Sequence, residues 1–178
     1  NGRRITDAET IDLVTMVYGG LVNKKIVARL QALECNAIGI TGADGNTIPA
    51  IKRPVKDIDY GFVGDVKNEG IGTNTWSLLL NNHLVPVVAS LTHDGKGQLL
   101  NTNADTIASS LAVALSGSYL VRLIYCFEKK GVLENVVDEN SAIPILTMER
   151  YQQLMKEKKL FDGILPKIDN AFAAIKHG

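Results

Sequence analysis

The chain has 178 residues, 46% of them hydrophobic and 21% charged, which describes one globular domain, or one with a partial neighbour, and excludes a disordered chain. Lys and Arg together number 19, as do Asp and Glu, so no overall basic field exists to hold a nucleic-acid backbone or an anionic membrane, and any anion site must be local. No stretch approaches the ~18 to 20 uninterrupted apolar residues of a membrane span, and Asn1-Gly2-Arg3-Arg4 leads into no apolar signal core.

In chain order, Thr6-x-x-Glu9 reads as a capping box that opens the apolar-periodic run Ile11, Val14, Val17, Tyr18, with Gly19-Gly20 ending or interrupting that helix. A second helical stretch over 21–33 buries Val22, Ile26, Val27 and Leu30 and shows Asn23, Lys24 and Arg29, a pattern suited to a surface helix against a sheet or a subunit partner. Ala37 to Ile40 is a short strand, followed by the turn cluster Gly42-Ala43-Asp44-Gly45-Asn46. Residues 50–65 read as exposed antiparallel strands with bends at the glycines. The second half repeats a strand-and-helix rhythm, with helices over 76–80, 103–115 and 148–158 and strands over 84–91 and 120–127. Pro86 makes the first of these strands begin or bulge near it. Ile143 to Leu146 is a further short strand, and Pro166 to Ile175 a closing helix. Such alternation predicts an α/β fold, a three-layer α/β/α sandwich around a mainly parallel open sheet.

In open α/β sheets, ligands collect where strand C-termini meet helix N-termini, because unpaired N–H groups and the helix dipole point there. Three segments have that placement. The run from Thr92 to Asp105 contains Asn101 and Asn103, whose amides suit a carboxylate, and Asp105 in a first helical turn; Asn103 is equally a helix N-cap. Glu128-Lys129-Lys130-Gly131-Val132-Leu133 follows the strand ending at Phe127 and is either a phosphate-receiving segment or a solvated basic turn. Asp162-Gly163-Ile164-Leu165-Pro166-Lys167 places a lysine in a first helical turn, where the dipole disfavours a cation and a bound anion would compensate. Arg4 can pair bidentately with a carboxylate, although an exposed arginine is the plainer reading.

His83, His93 and His177 share no metal spacing, and no nucleophile elbow, P-loop or G-x-G-x-x-G run is present, so hydrolase, metalloenzyme and dinucleotide readings lack support. Cys35 and Cys126 lie far apart with no C-x-x-C or Cys/His cluster, which fits a reducing cytosol. The chain lacks an initiator methionine and stops at His177-Gly178 straight after a helix, and it reads as a piece cut from something longer.

Five segments carry a resemblance. Asn1-Gly-Arg-Arg-Ile-Thr6, Leu21-Val-Asn-Lys-Lys25, Gly39-Ile-Thr-Gly-Ala-Asp-Gly45, Leu99-Leu-Asn-Thr-Asn-Ala-Asp105 and Asp162-Gly-Ile-Leu-Pro-Lys167 are similar, in order and approximate spacing, to the N-acetylglutamate kinases of the amino acid kinase family. The resemblance covers essentially the whole chain. It implies ATP-dependent phosphorylation, with Mg²⁺, of the side-chain carboxylate of an N-acylglutamate in arginine biosynthesis, by a cytoplasmic homodimer or larger assembly. Arg4 and Asn101, with Asn103 close by, then bind the amino acid substrate. Asp105 orients the catalytic lysines, Lys167 stabilises the transferring phosphoryl group, and Glu128, Lys129, Lys130, Gly131, Val132 and Leu133 fall where the family holds the nucleotide.

The resemblance further divides the chain into a substrate-binding and dimerisation part (about 1–105) and the start of a nucleotide-binding part (about 106–178). It places the first catalytic lysine and the glycine-rich phosphate loops outside these residues, with truncation at both ends, so that residues 1–178 alone are expected to be inactive. The run Tyr125-Cys-Phe-Glu-Lys-Lys-Gly131 departs from the Thr/Ser-Asp-x-x-Gly pattern of many relatives. Competing expectations are another carboxylate or carbamate kinase of the family and a non-catalytic amino-acid-sensing domain.

Overall fold

A computed structural model of the chain describes residues 5–135, 137–157, 159–160 and 163–178. Its first feature is a continuous helical rod: α1 (Ala8–Val14), a π-helical segment (Thr15–Val22) and α2 (Asn23–Gln31). The N-cap of α1 is Asp7, whose carboxylate accepts from the Thr10 N–H at 2.8 Å. Thr6, expected to cap, is fully buried in backbone pairing instead. Its N–H donates to the Tyr60 carbonyl at 3.0 Å and its carbonyl accepts from the Phe62 N–H at 2.7 Å, which leaves the neighbouring carboxylate to satisfy the first helical turn.

Gly19-Gly20 does not end the helix but lies inside the π-helical segment. A π-turn holds an extra residue, and each residue turns the helix by about 100°, so the face expected from the uninterrupted 3.6-residue period is rotated. Asn23, expected at the surface, is buried at 3% exposure, whereas Val22 and Ile26 are exposed. Val27 and Leu30 are half-buried.

The expected strand after residue 36 is β1 (Ala37–Ile40), and the hairpin at 50–65 is β2 (Ala50–Lys52) paired antiparallel with β3 (Gly64–Val66). Helix α3 (Thr73–Asn81) leads into β4 (Val85–Val88), which runs parallel to β1 with Ala37 opposite Val85 and Ile40 opposite Val88. As expected, the strand begins next to Pro86, at Val85, and its register with β1 runs through the proline without a bulge. The bonds to β1 flank it, from the Val85 N–H to the Asn36 carbonyl and from the Ala89 N–H to the Ile40 carbonyl, so the missing donor of Pro86 points away from β1.

The expected strand 84–91 is divided, its end becoming β5 (Leu91–His93), antiparallel to β6 (Leu99–Asn101). Isolated parallel bridges Thr6 to Gly61, Pro49 to His93 and Val63 to Asn101 link these ladders. Helices α4 (Ala104–Ser116), α5 (Met148–Lys156) and α6 (Leu165–His177) occupy the expected stretches; Lys158, the expected end of α5, lies outside the described residues. The expected strands 120–127 and 143–146 are not strands. A strand exists only where another backbone takes up its N–H and C=O groups, and among the described residues no ladder lies beside either segment; the Ile143 N–H bonds to the Val132 carbonyl, and Leu133 bridges Ala142.

The result is a mixed α/β architecture with two apolar centres. Ile40, Ile48, Ile71, Trp76 and Ile107 join β1, α3 and α4, and Tyr151, Ile164 and Ile168 join α5 to the start of α6.

Gly61 adopts φ +68° with the Thr6 carbonyl directly over its Cα, whereas Gly95 adopts φ +76° in open space. Gly95→Ala should therefore cost only the left-handed backbone penalty of about 1 kcal/mol, and Gly61→Ala should cost about 2 kcal/mol or more because the Thr6 strand must also move. Urea unfolding of the two variants measures the difference; equal losses would contradict it.

Candidate functional site

The site is built where α4 and α6 begin. Asn103 has extended backbone, and its Oδ1 accepts from the Thr106 N–H at 3.0 Å, so it is the N-cap of α4. That uses the side-chain oxygen and sets the direction of the first turn, where Asp105 stands. At the start of α6, Ile164 and Ile168 are buried against Tyr151. These anchors turn the intervening Lys167 toward α4. Its ammonium donates to both oxygens of Asp105, at 2.8 and 2.7 Å, with side chains that are 25% and 20% exposed.

A carboxylate in a first turn is favoured by the helix dipole and a lysine there is disfavoured. Each residue is thus the other's counter-ion. The anion that the misplaced charge of Lys167 called for is supplied within the chain by Asp105. Partial exposure leaves the ammonium, which has three donors, able to reach one further acceptor.

Asn101 ends β6, and its Nδ2 donates to the Thr6 hydroxyl at 3.1 Å while its N–H donates to the Phe62 carbonyl at 2.8 Å. Thr6 is therefore a positioning partner that sequence reasoning assigned to capping. Arg4 lies outside the described residues, as does Asp162 of the α6 segment.

Across residues 128–133 the side chains divide. Leu133 is 3% exposed and Val132 packs on the Tyr151 cluster, so both serve packing. Glu128 is exposed, Lys129 pairs with Glu139 at 3.7 Å, and Lys130 donates to Asn140 at 3.4 Å. Gly131 lies between them, with only the Ala142 methyl near the place its side chain would take. Val132, and Phe127 just before the segment, pack on the cluster of Tyr151, Ile164 and Ile168 that joins α5 to the start of α6.

For a divalent metal the donors do not fit. Among the described residues no three His, Cys, Asp or Glu side chains gather, and both oxygens of Asp105 face Lys167.

Sequence reasoning also missed Tyr151 and Asp169. The Tyr151 hydroxyl donates to Asp169 Oδ1 at 2.6 Å, its ring stacks on Phe172 at 5.5 Å, and burial, with the adjacent carboxylate, pushes its pKa up to about 12. Nothing in periodicity marks this contact, since its partners stand on different helices. A folded-state pKa above the ordinary tyrosine value means that this contact stabilises fully below pH 10 and is lost as pH rises through 12. Tyr151→Phe should flatten the fall in stability between pH 10 and 12 by on the order of 2 kcal/mol. Denaturant titrations at stepped alkaline pH check this, and unchanged steepness would contradict it.

Three comparisons bear on this geometry. The model of the amino acid kinase family matches residues 1–178. Acetylglutamate kinase from Phocaeicola vulgatus is 57% identical over 178 residues, all of this chain and 68% of that protein. Among solved structures, smu.665 from Streptococcus mutans UA159 superposes with a TM-score of 0.82 at 28% identity, over 100% of this chain and 68% of the other. The N-acetylglutamate synthase of Neisseria gonorrhoeae, solved with coenzyme A and N-acetyl-glutamate, superposes with a TM-score of 0.77 at 19% identity over 98% of this chain and 38% of the other, a likeness of fold.

Proposed function

We propose that this chain, which belongs to the amino acid kinase family, carries the phosphoryl-transfer lysine of an acetylglutamate kinase, Lys167, together with the aspartate that holds it, Asp105. The reaction is ATP-dependent phosphorylation of N-acetylglutamate in arginine biosynthesis. The observation that carries the reading is the two-point grip of Asp105 on the Lys167 ammonium where two helices begin.

The chemistry suits such an arrangement. The acceptor carboxylate is already ionised at neutral pH, so no general base is required. Phosphoryl transfer leaves the protein mainly positioning and charge stabilisation. Lys167, held by Asp105, meets the negative charge that spreads over the transferring oxygens.

The finer assignments belong to the same proposal. Arg4 and Asn101 grip the amino acid substrate, Asn101 with its amide aligned by Thr6. Asn103 contributes by capping α4 and through its remaining amide. Residues 128–133 border the nucleotide through Glu128, Lys129, Lys130 and the open side of Gly131, while Val132 and Leu133 support them from the core. Mg²⁺ arrives on the phosphates of ATP, which is how a cation that retains its waters is commonly held.

Residues 1 to about 105 bind substrate and a second copy, and those from about 106 begin the nucleotide part. Leu13, Met16, Leu21, Val22 and Ile26 along the N-terminal rod are exposed, and a homodimer would cover them. Two free cysteines, one of them exposed, suit the reducing cytoplasm; no helix among the described residues is long and apolar enough to cross a membrane.

The test is ADP release by the full-length gene product on addition of N-acetylglutamate, and release independent of that acceptor would overturn the reading. Lys167→Ala should lower kcat by about 10²- to 10³-fold with smaller changes in either KM, because the contact strengthens as charge develops. A surviving kcat with a raised KM for ATP would reduce Lys167 to nucleotide binding. Arg4→Lys should raise the KM for the amino acid far more than that for ATP, since lysine keeps the charge but loses the planar fork. Steady-state kinetics with each substrate varied separates the two; equal effects would remove Arg4 from the acceptor site.

A further inference from the structure

Tyr125 lies in the segment that follows α4, and it is half-buried. Its hydroxyl donates to the backbone carbonyl of Asp105 at 3.2 Å, and the centre of its ring lies 5.8 Å from the Lys167 ammonium. One side chain thus touches both members of the ion pair, one through its polar tip and the other through its face. The phenol remains a donor at neutral pH, since burial and the Asp105 charge both raise its pKa.

We infer that Tyr125 is a positioning residue for phosphoryl transfer, its ring face steadying the Lys167 ammonium and its hydroxyl fixing the turn that presents Asp105. The physical need comes from the lysine itself. Its four-carbon stem has many rotamers, and the hydrogen bonds that Asp105 accepts must be shared once phosphoryl oxygens compete for the same ammonium. Attraction to the ring quadrupole has no hydrogen-bond direction to satisfy. It persists while the ammonium swings between acceptors, and so limits how far Lys167 strays. A tyrosine that only filled space between α4 and α6 would need neither contact.

The inference rests on the role proposed for Lys167, so its test has one arm that does not depend on activity. In the full-length gene product, the ring current of Tyr125 should move the Lys167 Hε resonances upfield, with the shift kept in Tyr125→Phe and lost in Tyr125→Leu. Unshifted Lys167 resonances in the unaltered protein would overturn the inference whether or not the protein is a kinase. Shifted resonances without acylglutamate phosphorylation would instead overturn the proposed function.

In the kinetic arm, Tyr125→Leu should lower kcat by about 3- to 30-fold, the range of a partly desolvated cation–π contact, with both KM values changed less. Tyr125→Phe should recover most of that loss. A Leu variant with full kcat would overturn the inference, and so would a Phe variant as slow as Leu, because the ring would then contribute nothing of its own.

Discussion

The pairing of Lys167 with Asp105 joins residues 62 positions apart and ties the start of α6 to the start of α4. The dipole of α6 works against the lysine, while that of α4 favours the aspartate. Bringing the two ends together resolves the conflict, and it leaves the Lys167 side chain partly exposed, at 25%. The Tyr151 to Asp169 bond and the packing of Ile164 and Ile168 hold α6 on α5, while the Asn103 cap and the Tyr125 hydroxyl hold the first turn of α4. The pair is only as well placed as these supports.

A second set of constraints acts on Asn101. Thr6 is pinned through its backbone to residues 60–62, and its hydroxyl accepts the amide of Asn101. The hairpin β2–β3 thereby connects the N-terminal strand segment to the end of β6, with Gly61 accepting the close approach of the Thr6 carbonyl. Only Thr102 and Asn103 separate the end of β6 at Asn101 from the start of α4 at Ala104, so the elements proposed to hold the acceptor and the transferring phosphoryl group adjoin.

Much of this was legible in the sequence where information is local. Asn103 and Asp105 sit at cap and first-turn positions that spacing alone identifies, and Lys167 stood out because it opposes its helix dipole. What compensates it was not legible from spacing, since Asp105 is remote in sequence; only the family resemblance paired them. The capping role went to Asp7 because Thr6 is engaged by a partner about 55 residues further along, and the buried face of the N-terminal rod turned because a π-segment carries no periodic signature. The apolar run 120–127 has the composition of a strand but no ladder beside it among the described residues, and strand formation is a property of pairs of segments. Arg4, central to the proposed acceptor grip, lies outside the described residues.

The central claim is that Asp105 and Lys167 act as one unit in phosphoryl transfer, and a double-mutant cycle on kcat measures this directly. Asp105→Asn, Lys167→Ala and their combination would be assayed in the full-length gene product under saturating ATP and N-acetylglutamate. If Asp105 acts by placing the lysine, the combined variant should be little slower than Lys167→Ala alone, an interaction energy of at least about 1 kcal/mol. Losses that add to within about 0.5 kcal/mol would show that the two residues act apart, and would contradict the account.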